Sequence, residues 1–154
     1  MEPKEKLFWS IALPGFGQLL NGKYVKGAIL ILLEFLINVR SNFNSVIISS
    51  FHGDIEQAIN QANYQWLLFY PCLYFFAMWD AYKDAGGGSE PYSFLPFAFA
   101  AYFVTVGTIF SSKIRFLGLF PGPIWLPMIS VVPGVLLGLL LKRIMNGKKE
   151  QENC

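Results

Sequence analysis

A single carboxylate stands in an expensive place. Glu34 interrupts the apolar run Lys26–Val39, and an ionised side chain at the centre of a membrane helix costs about 2.5–3.5 kcal/mol unless a partner or a function offsets it. Two kinds of chemistry fit it: a hydrogen-bonded or protonated glutamate that glues helices together, or a proton- or ion-linked carrier. Polar residues recur beyond it at Asn38, Asn42 (or Ser41), Ser45 and Ser49. Steps of three to four residues align them on one helix face, so a continuous helix there carries a polar stripe. Asp80 and Asp84 also stand one turn apart, beside Lys83, and read as a solvated helix end. The remaining chemistry is sparse. His52 is the sole histidine, which excludes a histidine-based metal cluster and leaves Asp54 and Glu56 as at most a weak cation site. Cys72 is expected to be buried midway along an apolar run, and Cys154 is the last residue; neither pairs with His52 as nucleophile and base. No metal, cofactor or catalytic set is expected.

These residues sit in a chain built to avoid water. Of its 154 residues, 54% are hydrophobic and 14% charged, against roughly 25% charged in soluble domains, and the mean hydropathy is +0.43. Between Glu56 and Lys83 only Asp80 is charged, and the stretches 91–112 and 116–141 carry no charge. That pattern excludes disorder and a disulfide scaffold, and points to an all-α integral membrane fold rather than a cytosolic enzyme. A formal net charge of +2 without a basic stripe leaves no footprint for nucleic acid.

A bilayer core of about 30 Å takes about 20 helical residues. Spans are expected over 26–49, 64–82 (kinked at Pro71), 93–112 and 123–141, with Tyr64, Trp66, Trp79, Tyr82, Tyr92 and Trp125 in interfacial belts. A short amphipathic helix on the outer surface is expected over 54–63, opened by an Asp54–Gln57 capping box. The tail 142–154 is expected to be solvated. Leu7–Leu20 is the odd segment. Its 14 residues reach only about 21 Å as helix, and Pro14, Gly15 and Gly17 break its second half. It is expected to be a half-inserted or re-entrant helix that turns at Asn21–Gly22, retained because no small-x-small cleavage site follows it.

Basic residues orient the spans. If Leu7–Leu20 does not cross, Lys4, Lys6, Lys23, Lys26, Lys83, Lys142, Arg143, Lys148 and Lys149 share one side and Arg40, Lys113 and Arg115 the other, nine against three. If it crosses, Lys4 and Lys6 change sides and the split is seven to five. The positive-inside rule favours the first arrangement: about four transmembrane helices in the cell membrane, both termini cytoplasmic.

The densest signal is Pro14-Gly15-Phe16-Gly17-Gln18 followed by Gly22-Lys23-Tyr24-Val25-Lys26-Gly27. Four glycines and a proline in 14 residues are costly unless close backbone approach or a tight turn requires them. The pattern resembles the TM2-type membrane domain found in many small bacterial proteins. The resemblance is specific over Ser10–Gly27 and extends loosely to Tyr82. It implies a hairpin of a short glycine-bearing helix, a basic turn and a second apolar helix, with an acidic residue such as Asp80 ending a span and no catalytic activity attached. Leu20, where an aromatic is common, and the long connector Arg40–Asn63 depart from it. Gly15, Gly17, Gly22, Lys23 and Lys26 are candidate hairpin and lipid-headgroup residues. The run from Gly17 to Gly22-Lys23 imitates a phosphate-binding loop, but Tyr24 replaces the Ser or Thr and no strand precedes it, so no nucleotide is expected.

Gly134 and Gly138 form a small-xxx-small pair that lets a helix of this chain, or a second copy, approach closely. The function expected from all this is non-enzymatic: a helical bundle that packs with or organises membrane partners, with the lipid bilayer, itself or other membrane proteins as its contacts. The alternative is a small proton- or ion-linked transporter or channel subunit built on Glu34 with Asn38, Asn42 and Ser45.

Overall fold

The computed structural model describes residues 2–115, 118 and 120–152. Among them every regular element is an α-helix: α1 (Pro3–Ala12), α2 (Phe16–Leu20), α3 (Tyr24–Ser41), α4 (Phe43–His52), α5 (Ile55–Gln61), α6 (Tyr64–Leu67), α7 (Phe69–Asp84), α8 (Leu95–Phe110) and α9 (Gly122–Glu152). Among the described residues only the Gly122–Lys148 portion of α9 is long and apolar enough by itself to cross a bilayer, with a mean hydropathy of 2.3 over its most apolar window. The apolar α8 is shorter.

Residues 2–22 form a helical hairpin. A Glu2–Glu5 capping box opens α1, with the Glu2 N–H donating to Glu5 Oε2 at 3.0 Å. The helix stops because Leu13 precedes a proline and is driven into an extended conformation, and Gly15 then turns the chain at φ +99°. Ile11, near the apex, accepts a hydrogen bond from Tyr74 in the middle of α7, whereas Asn21 at the end of α2 bonds to Ala81. The chain therefore runs along α7 to about half its length and comes back. The apex lies at Leu13–Gly15; Asn21–Gly22 is the second turn, which sends the chain into α3. There the Lys23 N–H donates to Gln18 O and the Gly22 N–H to Leu19 O, both at 2.9 Å. This is a Schellman closure with Gly22 left-handed.

The continuous helix expected over 26–49 is two helices. Asn42 sits in the left-handed region at φ 58°, a conformation that asparagine tolerates better than most residues. The groups freed by the break are used: the Asn63 N–H donates to Ser41 O at 3.1 Å, and Asn42 Nδ2 donates to Gln61 O at 2.9 Å. The Asp54–Gln57 capping box does not form. The Asp54 N–H that it needs already donates to Ser49 O at 2.9 Å, in the Schellman closure of α4. The apolar face of α5 meets protein rather than an open surface. Ala58 is fully buried with Val46 and Ile124, and Ile55 fills the space beside Gly122.

The helical stretch over 64–84 is interrupted at Leu68, three residues before Pro71, which has no N–H to return to Leu67 O. Cys72 is exposed on α7 rather than buried, because Pro71 and Phe75 take the inward positions. The tail, 142 onward, continues α9 to Glu152; Cys154 lies outside the described residues.

α8 and α9 pack backbone to backbone. A Cβ on Gly134 would lie 2.7 Å from Phe99 O and 2.8 Å from Ala100 Cα, and one on Gly138 would lie 2.5 Å from Pro96 Cα. The small-residue stripe is thus filled from within the chain and is closed to a second copy. Hydroxyls on these helices bond to their own backbone one turn back: Thr105 to Ala101 O, Thr108 to Val104 O and Ser130 to Leu126 O, each at 2.8 Å. One end of the bundle gathers Lys4, Glu90 and Lys142 around a single hollow, and the other gathers Asp54, Gln57 and Arg115 around another.

Candidate functional site

Two polar centres stand out, and the first is built by the glycine-rich motif. Gly17 lies where a Cβ would meet Ser10 Oγ at 2.2 Å, Ala81 Cβ at 2.7 Å and Lys6 O at 2.7 Å, so only glycine lets α2 lie this close to α1 and α7. That approach puts Gln18, fully buried, onto α7: its Nε2 donates to Ala77 O at 2.8 Å and to Asp80 Oδ2 at 2.9 Å. Asn21 Nδ2 donates to Ala81 O at 2.8 Å while its Oδ1 accepts from Lys6 Nζ at 2.7 Å. Lys26 Nζ completes the set, 2.8 Å from both Asp80 Oδ1 and Asp84 Oδ2. Gly15 and Gly27 serve the same closeness on the other side, since a Cβ on Gly15 would lie 2.5 Å from Gly27 O.

This arrangement changes several expectations. Asp80 and Asp84 are not a free solvated end; they clamp one lysine. Lys26, expected at lipid headgroups, has its charge compensated within the chain, whereas Lys23 is exposed. Gly17 lies within α2. Gln18 and Asn21 were not singled out by the sequence, although both stand inside the motif between its glycines. Gln18 Oε1 has no hydrogen-bond partner among the described residues.

The second centre is Glu34, half-buried on α3. It accepts a long hydrogen bond, 3.4 Å, from Tyr70 Oη on α7. Tyr70 stacks on Tyr74 (ring centroids 5.7 Å apart, planes at 22°) and leans on Phe43 at 4.4 Å. Tyr70 and Tyr74 are one helical turn apart, a spacing that could have marked them in the sequence.

The polar stripe does not continue from Glu34. Asn38 Nδ2 donates to Asn44 Oδ1 at 3.2 Å, across the break. Gln61 Nε2 donates to Ser45 O at 2.7 Å and to Ser49 Oγ at 2.8 Å. Beyond Glu34 the stripe is consumed in tying α3, α4 and α5 together, because the turn at Asn42 rotates the later residues off the face of α3. Among the described residues no three His, Cys, Asp or Glu side chains converge as metal ligands would.

A cavity of about 340 Å³ opens beside this centre, between α4, α7, α8 and α9, with Phe43, Tyr70, Tyr74, Phe75, Thr108 and Ile124 in its wall. Comparison with protein-family models, with curated proteins and with solved structures returns no match to this chain.

Proposed function

We propose that the chain is a multi-pass membrane protein, a non-enzymatic helical bundle that packs with or organises partners in the cell membrane. One observation carries this reading: large apolar side chains cover the outside of the helices while polar ones share the interior. The largest fully buried side chains include Gln18, Ser10, Ser41 and Ser111, while Val25, Ile29, Leu32 and Phe35 on α3 and Ile129, Val132, Leu136 and Leu140 on α9 are exposed. Apolar surface on that scale needs a lipid or protein cover, and small polar interiors are how membrane helices pack.

In this reading α3–α4, α6–α7, α8 and α9 cross, and the α1–α2 hairpin enters from the cytoplasmic end and returns to it, held by the Gln18–Asn21–Lys26 clamp. Its backbone is packed against α3 and α7, as irregular backbone at membrane depth requires. The gathering of Lys4, Lys26 and Lys142 at one end fits both termini being cytoplasmic. The TM2-type resemblance supports the turn at Asn21–Gly22 that leads into α3 and assigns no reaction.

A second reading, a proton- or ion-linked transporter, is favoured by Glu34, which has no basic partner among the described residues. Flotation with liposomes after carbonate washing tests insertion. Proton and sodium flux into proteoliposomes then separates the two readings. The organising role predicts fluxes equal to those of empty liposomes. Flux that is present in the wild type and lost in Glu34→Gln overturns it in favour of transport.

A further inference from the structure

Glu34 has no counter-charge among the described residues. Among the described residues the ion pairs are Lys26–Asp80, Lys26–Asp84 and Lys142–Glu90, and the one hydrogen bond to Glu34 comes from Tyr70. The same Tyr70 forms part of the wall of the 340 Å³ cavity, a volume at the lower end of the roughly 300–1,000 Å³ of small-ligand sites. Four aromatic rings stand together in that wall. The centroid separations are 4.4 Å for Phe43–Tyr70, 5.7 Å for Tyr70–Tyr74 and 5.9 Å for Tyr74–Phe75.

Aromatic faces carry negative electrostatic potential and attract cations, most strongly when water is excluded. A carboxylate one hydroxyl away adds to that potential. A small inorganic cation needs a shell of oxygen ligands, and the wall is mainly carbon: Leu67, Pro71, Ile124 and Val131 complete much of it. A neutral acyl chain suits the carbon but leaves the carboxylate without a counter-charge. The occupant that uses both features carries a positive charge inside an apolar shell.

We propose that this cavity binds a lipophilic organic cation, its charge held against the aromatic rings with Glu34 behind Tyr70, outside the wall, as the nearest carboxyl, and its apolar groups against the rest of the wall. The inference rests on the membrane-inserted reading and is independent of whether anything is transported.

Equilibrium dialysis of the full chain in mild detergent, against tetraphenylphosphonium and the smaller tetrapropylammonium with empty micelles subtracted, tests it. The wild type is expected to bind at least one of the two saturably at one site per chain. Glu34→Gln should weaken binding roughly tenfold or more. Glu34→Asp, which keeps the charge, should stay closer to wild type than Glu34→Gln, and Asp54→Asn at the far end should match wild type. The uncharged triphenylphosphine oxide should not compete. The inference is overturned by no saturable binding of either cation, by equal affinity in Glu34→Gln and wild type, or by effective competition from the uncharged compound. Flotation of the same preparation with liposomes keeps the two failures apart: a chain that inserts but does not bind overturns this inference alone.

Discussion

Asp80 and Asp84 look equivalent in the sequence, yet the structure makes replacing them unequal. Asp80 accepts from Lys26 through Oδ1 at 2.8 Å and from the buried Gln18 through Oδ2 at 2.9 Å, whereas Asp84 accepts from Lys26 alone at 2.8 Å. The Lys26 side chain is 42% exposed, so each of its ion pairs belongs with surface pairs, at about 0.5 kcal/mol. The Gln18 bond is different: its donor is fully buried and its acceptor is charged, which puts it at about 1.5–3 kcal/mol. Asp80→Asn keeps the shape but removes the charge from both bonds, and should cost about 2 kcal/mol, about thirtyfold in the folding equilibrium. Asp84→Asn should cost about 0.5 kcal/mol. Unfolding in a mixed-micelle titration, followed by tryptophan fluorescence, measures both. Pairing each variant with Gln18→Leu should give coupling with Asp80 and none with Asp84. Equal costs for the two aspartates, or no coupling between Gln18 and Asp80, would refute the reasoning.

Three further outcomes are expected from the packing and charge of the bundle. Gly138→Ala should destabilise the protein by about 1–3 kcal/mol in the same titration, because the new methyl meets Pro96 Cα at 2.5 Å. Gly147→Ala on the same helix, with nothing within 4 Å, should be neutral or stabilising by up to about 1 kcal/mol. Asn42→Val should lose both the left-handed turn and the bond to Gln61, and limited proteolysis should then cut between α3 and α4 faster than in Asn42→Gly. At Glu90 the Lys142 ammonium holds the carboxyl below its ordinary value of 4.5. The contact between the α7–α8 connection and α9 should therefore be fully present above about pH 4.5 and loosen as pH falls through the lower folded value. A spin-label distance between positions 89 and 146 should report this, and Glu90→Gln should abolish the pH response.

What the sequence made legible was whatever composition and spacing encode locally. The all-helical class follows from long uncharged runs, the break in the first segment from Pro14 and Gly15, and the turn into α3 from Gly22; that the break is itself the apex of a hairpin was not readable. Gly134 and Gly138 were readable as a packing face, though not as one filled by α8. The break at Asn42 was hidden because asparagine is compatible with a helix interior, and its left-handed conformation is secured by Gln61 and Asn63, some 20 residues later. The clamp was hidden for the same reason. Lys26 and Asp80 stand 54 positions apart, and nothing in the run around Asp80 distinguishes a solvated end from a paired one. Gln18 carried no signal of burial, since glutamine is usually exposed and only the missing side chain of Gly17 brings it onto α7. Glu34 was singled out by its charge within an apolar run, but its partner Tyr70 comes from another helix and could not be read there.

The central claim is that the α1–α2 hairpin enters and leaves by one end of a four-crossing bundle. Single cysteines at Lys4, Ser89, Asp54 and Lys113, each exposed, in a background lacking Cys72 and Cys154, test it with a membrane-impermeant maleimide on right-side-out vesicles. Positions 54 and 113 should label on intact vesicles, and positions 4 and 89 only after lysis. Labelling of positions 4 and 89 from opposite sides would mean that the first segment crosses the membrane, and would contradict the account.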